Sequence, residues 1–193
     1  MANEAKKIPR YYWDACVFLS FVEGRSDRVP TIESLLSDCE NGKIEIWSSH
    51  LSIAEVAFAK AEKDNKALDP AIEKVIDNLW HPDSPIKLVE VSHLACIIAR
   101  NFLREAMHKQ IGLRSADALH LATAKMIGGV DQFHTYDIKL RKCQPLVTFQ
   151  VGEPVAEQLL LTAFPAVPIA KDAGQQDSRP NAIPTDPPPL PDQ

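Results

Sequence analysis

Apolar residues in this chain come in short runs broken by glycine, proline and polar clusters, and the runs alternate in type. Tyr11 to Leu19 is almost continuously apolar and rich in aromatic and β-branched residues, which predicts a strand buried on both faces, with Asp14 set inside it. Thr31 to Glu40 predicts a helix stopped by Asn41-Gly42. Ile44 to Trp47 reads as a short second strand and Ser52 to Lys63 as an alanine-rich helix. Asp69-Pro70 puts an N-cap and a first-turn proline at the head of another helix. After the turn Pro82-Asp83-Ser84-Pro85, Ile86 to Val89 predicts a strand.

The second half continues the alternation. Ser92 to Gln110 is a long helix with Leu94, Ile97, Ile98 and Phe102 on one face and Arg100 and Arg104 on another. Gly112 separates it from a helix over Ser115 to Met126, which Gly128-Gly129 ends. Phe133 to Thr135 predicts a strand, Asp137 to Lys142 a short turn or helix, and Leu146 to Phe149 a last strand. Strands alternating with helices define an α/β protein: a three-layer α/β/α sandwich around a central parallel sheet of about five strands. No internal repeat is present.

Composition changes beyond Pro165, where eight of the fifteen prolines fall between Pro165 and Pro191. Such a stretch cannot pack a core and reads as an extended or disordered tail. The division expected is a lead over 1–10, a single α/β domain over 11–150 and a C-terminal extension over 151–193. With 193 residues, 45% of them hydrophobic, the chain supports one domain with a real core. No apolar stretch approaches the roughly 20 residues that cross a bilayer. The N-terminus leads into no signal-type segment, so a cytoplasmic protein without membrane contact is expected. Cys16, Cys39, Cys96 and Cys143 form no C-x-x-C pair; free thiols are expected, and a structural zinc site is not. The net charge of −5 argues against a general nucleic-acid coat but leaves a nuclease open, because ligand acids are counted in it.

Four acids stand where a carboxylate is awkward for folding: Asp14, Glu55, Asp117 and Asp137, each in an apolar run or at an element end. Unpaired buried carboxylates are costly, and several in apolar surroundings call for a shared cation. Each also has a plainer reading. Asp14 could be satisfied by backbone N–H groups at a strand end. Ser52-x-x-Glu55 has the form of a capping box. Asp117 in a first helical turn would complement the helix dipole, and Asp137 could cap the segment after it. His120 falls three residues after Asp117 and so faces the same side. Thr135, two before Asp137, points the same way along its strand.

In order and context these residues resemble the PIN-domain family, typified by VapC toxins of bacterial toxin–antitoxin pairs. Tyr12-Trp13-Asp14-Ala15-Cys16-Val17 resembles its opening motif, and Ser49-His50-Leu51-Ser52-Ile53-Ala54-Glu55-Val56 its second. Ser115-Ala116-Asp117-Ala118-Leu119-His120-Leu121-Ala122-Thr123-Ala124 is the closest match, and Thr135-Tyr136-Asp137 resembles the closing T-x-D. The resemblance spans roughly Tyr11 to Phe149. It departs from the family at Cys16, where a small hydroxyl or amide residue is common, and in the proline-rich tail.

The resemblance implies a metal-dependent endoribonuclease, the toxin of a type II toxin–antitoxin module. Asp14, Glu55, Asp117 and Asp137 would be its catalytic and metal-holding residues. Thr135, His120, Arg114 and Lys139 would serve in support or in substrate binding. It further implies an RNA substrate, a cognate antitoxin and a homodimer. A carboxylate set without histidine ligands favours Mg²⁺ or Mn²⁺ over zinc. Basic residues for substrate phosphates could also come from Arg100, Arg104, Arg141 and Lys142. The main rival is a catalytically weak PIN-fold interaction or RNA-binding module. A haloacid-dehalogenase-type phosphatase is rejected, because its Asp-x-Asp would need an acid at Cys16. The G-x-G-x-x-G and Walker patterns of nucleotide-cofactor enzymes are absent.

Overall fold

Five parallel strands form one sheet in the order β3-β2-β1-β4-β5 in the computed structural model, which describes residues 7–156. The strands are β1 (Arg10–Trp13), β2 (Glu45–Ser49), β3 (Ile86–Val89), β4 (Gln132–His134) and β5 (Gln150–Gly152). Eight helices connect them among the described residues: α1 (Ala15–Val22), α2 (Val29–Glu40), α3 (Leu51–Glu55), α4 (Lys60–Asn65), α5 (Pro70–Trp80), α6 (His93–His108), α7 (Ser115–Ile127) and α8 (Ile138–Arg141). The proline-rich tail lies outside the described residues.

Side-chain alternation along β1 divides the interior into two apolar layers. Tyr12 points into a cluster with Phe102 of α6, Leu121 and Ala122 of α7, Phe133 and Phe149. Trp13 points the other way, to Phe18 of α1, Ile32 and Leu35 of α2, Ile46, and Ile76 and Leu79 of α5. Helices therefore cover both faces, as the alternating pattern predicted.

Several elements differ from the sequence expectation. The Tyr11–Leu19 strand ends at Trp13, and Ala15 onward is helix. Asp14 makes the change: at φ −83° and ψ 173° its carboxylate accepts from the Cys16 N–H and caps α1. A short apolar run has no period that separates strand from buried helix, so the capping acid was the deciding signal. The single helix over 52–63 is two, broken where Val56 and Ala59 turn into the core. Glu62 restarts it by accepting from the Ala59 N–H at 2.8 Å and ties in the Asp69 N–H at 2.7 Å.

The last strand lies later than Leu146–Phe149, at Gln150–Gly152, after a 3-10 turn over Gln144–Leu146. Leu146 is buried from the end of that turn and Phe149 from the loop after it. The Gln144 amide brackets the approach, donating to Phe149 O and accepting from the Val151 N–H.

Strand order places the chemistry. β1 is central, with β2 on one side and β4 on the other. The order reverses between β1 and β4, and in open parallel sheets ligands bind beyond the carboxyl ends of the strands at such a point. Asp14 follows β1 and Thr135 to Asp137 follow β4, so both fall at that edge. All four cysteines are free, and no helix among the described residues is long and apolar enough to cross a membrane.

Candidate active site

At the end of β1, Asp14 is buried and turned toward α1. Its Oδ1 accepts from the Cys16 N–H at 3.1 Å and from the Cys16 thiol at 2.8 Å. Cys16 Sγ also accepts from the Tyr136 N–H at 3.0 Å and lies 3.4 Å from Thr135 Oγ1. Cys16 thus takes up the hydrogen-bonding position that a hydroxyl or amide residue would fill. Burial, and then the Asp14 charge, raise its thiol pKa, so it remains a protonated donor. Burial likewise raises the Asp14 pKa above the ordinary carboxylate value, while hydrogen bonds from Cys16 and Thr135 pull it down.

Thr135 connects the first acid to the last. It is fully buried, and its Oγ1 accepts from the Asp137 N–H at 2.9 Å. Asp137 in turn caps α8, its Oδ1 accepting from the Lys139 N–H at 2.8 Å. The capping reading of Asp137 is correct, and it leaves Oδ2 free to turn outward. There Arg114 Nη2 donates to it at 3.0 Å. The same guanidinium grips Asp117 through Nε and Nη2, at 2.7 and 2.9 Å. Asp117 stands in the first turn of α7, where the helix dipole favours an anion. Its hydrogen bonds and charge raise the Arg114 pKa above the usual guanidinium value.

Glu55 is held differently. The Ser52–Glu55 capping box does not form: Ser52 is already inside α3, and its Oγ pairs with Ser48 Oγ at 2.8 Å. Glu55 is the last residue of that short helix and meets His120 Nε2 at 2.6 Å. His120 is only 2% exposed, and its Nδ1 lies 2.8 Å from the hydroxyl of fully buried Tyr12. Burial and then the Asp14 charge raise the Tyr12 pKa well above the usual phenol value, so its hydroxyl keeps its proton. Tyr12, His120 and Glu55 form one chain running from β1 through α7 to the crevice. Sequence reasoning placed His120 beside Asp117 but missed Tyr12, whose polar tip is hidden in an apolar run.

The acids are therefore linked in two groups, Asp117 with Asp137 through Arg114, and Glu55 with α7 through His120, with Asp14 and Thr135 behind them. As arranged, no three His, Cys, Asp or Glu side chains among the described residues are gathered to hold a metal ion. The donor chemistry nevertheless fits a hard divalent cation. Both His120 nitrogens are engaged and the Cys16 thiol is protonated, which leaves carboxylate oxygens as the donors. Lys139 is exposed, and its ammonium makes no ion pair with the described residues. Arg141 pairs with Glu153 at 2.9 Å.

Comparison with known proteins agrees with this frame. No curated protein matches the sequence. Solved structures share the fold at low identity. VapBC2 from Rickettsia felis, bound to a DNA fragment from their promoter, is 14% identical with a TM-score of 0.55, covering 74% of this chain and 98% of its own. FitAcB from Neisseria gonorrhoeae is 15% identical with a TM-score of 0.54, covering 75% and 97%. VapC20 of Mycobacterium tuberculosis, a toxin that cleaves the sarcin–ricin loop, is 13% identical with a TM-score of 0.50, covering 67% and 92%. The PIN-domain family model matches residues 11–144, from the middle of β1 to the 3-10 turn, and the chain belongs to the PIN-domain family.

Proposed function

We propose that this protein is a Mg²⁺- or Mn²⁺-dependent endoribonuclease, the toxin of a type II toxin–antitoxin module. Asp14, Glu55, Asp117 and Asp137 would be its ligand acids. What supports the reading is a PIN fold in which Asp14 caps α1 just after β1 and Asp137 caps α8 after β4, both beyond the carboxyl ends of the strands at the switch point, with Arg114 joining Asp137 to Asp117 of α7. VapC20 supports the choice of RNA, and the paired VapBC2 and FitAcB complexes support a cognate antitoxin. A homodimer and a cytoplasmic location belong to the same proposal.

A divalent ion bound there would lower the pKa of an attacking water and offset charge on the phosphodiester oxygens. The chain's own residues set the conditions for that chemistry. His120 holds the Glu55 carboxylate in one orientation from below, with Tyr12 fixing the imidazole ring. Cys16 and Thr135 fix Asp14 and the backbone of Asp137. Lys139 and a released Arg114 would offer positive charge to substrate phosphates.

A second reading, a catalytically weak PIN-fold module that binds RNA or a partner, draws on the Arg114 ion pairs, which already satisfy two of the acids. Purified protein with RNA separates the two. The nuclease reading expects cleavage in Mg²⁺ or Mn²⁺ that stops in excess EDTA and is nearly abolished in Asp14→Asn and Asp117→Asn. Cleavage that persists in EDTA would sink the metal mechanism. RNA binding without cleavage and with feeble Mn²⁺ uptake would favour the module.

A further inference from the structure

We infer that Arg114 is a tethered competitor for the cation position between Asp117 and Asp137: it holds the two acids together in the metal-free protein and must leave before a divalent ion uses them. The inference rests on reading these acids as cation ligands and assigns Arg114 a role against the ion.

Asp117 and Asp137 come from different elements, and two carboxylates brought together repel unless a positive charge lies between them. Among the described residues Arg114 supplies it, reaching both oxygens of Asp117 and Oδ2 of Asp137. The remaining oxygen, Asp137 Oδ1, is spent on the Lys139 N–H. Each oxygen of the pair is thus already engaged, three by the guanidinium. A divalent ion placed there would meet like charge as well as occupied acceptors, so guanidinium and ion exclude one another.

Displacement nonetheless needs no unfolding. The Arg114 side chain is 73% exposed, and its backbone lies just ahead of α7, at φ −85° and ψ 158°, outside the helix. The guanidinium can therefore swing into water without breaking the fold, although the carboxylates it leaves are only 14% and 26% exposed. The other two acids differ, since Asp14 and Glu55 are held by hydrogen-bond donors set behind them, Cys16 and His120. Arg114 would therefore lower the apparent metal affinity and keep the metal-free acids paired.

Mn²⁺ titration of the full-length chain, followed by calorimetry or by loss of the free-ion paramagnetic resonance signal, tests the inference without reference to RNA cleavage. Arg114→Ala and Arg114→Gln should bind Mn²⁺ roughly two- to fivefold more tightly than wild type, the range expected when a competing ion pair is removed. Arg114→Gln keeps the side-chain length and guards against a folding artefact. Arg114→Lys should fall between, because it keeps the charge but loses the two-pronged fork. Wild-type affinity, or weaker binding, in both neutral variants overturns the competitor role while leaving the ligand acids standing. Absence of Mn²⁺ binding in every protein, wild type included, removes the ligand reading itself, and this inference with it.

Discussion

Glu55 and Asp117 both reach the crevice, one from α3 and one from α7, yet they are restrained by different physics. Glu55 is the half-buried outer end of an interior chain, Tyr12 to His120 to Glu55, in which the two supporting groups are cut off from water. Asp117 is restrained by an arginine that is itself mostly in solvent. A hydrogen-bonded chain of low exposure is strengthened by its surroundings and costly to interrupt. An exposed ion pair is screened and exchanges readily. One arm is therefore built for fixed geometry and the other for replacement of its cation.

Breaking the interior arm should have the largest effect. His120→Leu removes the partner of the Tyr12 hydroxyl and of Glu55, and loss of a buried hydrogen-bond partner costs about 1–3 kcal/mol. Urea denaturation should show that loss, and the RNA cleavage rate should fall with it. His120→Gln, which can still present an amide N–H toward Glu55, should recover much of the rate. Equal damage from Leu and Gln would mean that the ring only fills space.

The next effect concerns Asp14 and is read against pH in EDTA. Burial raises its folded-state pKa above the unfolded value, so the folded protein binds the proton more tightly. Stability therefore falls as pH climbs from the unfolded carboxylate pKa through the folded one, and the cost of burying the charge is complete above it. Asp14→Asn should raise the melting temperature at neutral pH, because asparagine caps α1 as well as aspartate does. The gain should vanish in acid, where Asp14 is protonated in both states. A gain that is independent of pH would place its origin in packing.

The exposed arm should give the smallest change. Arg114→Ala should lower stability by less than about 1 kcal/mol in dilute buffer, and the difference should disappear in molar salt. A loss as large as that of His120→Leu would make the two arms alike.

What could be read in the chain beforehand follows the same division. Asp69-Pro70 at the head of α5, Ser92 before α6 and Gly128 after α7 are local signals, and each marks its boundary in the structure. Asp14 was legible as a chemical residue but was placed inside a strand, since the apolar run around it carries no period. Ser52 and Glu55 made a plausible capping box because their spacing is right. A tertiary partner 65 positions away, His120, claimed Glu55 instead. The break at Val56 and the late start of β5 were equally hidden, because burial against distant elements set both.

Taken alone, the sequence determined an α/β chain with parallel strands and singled out the acids Asp14, Glu55, Asp117 and Asp137, since periodicity, caps and turn residues act over a few positions. Only the tertiary structure decided that Tyr12 and His120 meet, that His120 holds Glu55, and that Arg114 joins Asp117 to Asp137. Those contacts span as many as 108 positions, from Tyr12 to His120. They depend on the strand order around β1 and on which face each side chain leaves, neither of which a local pattern encodes.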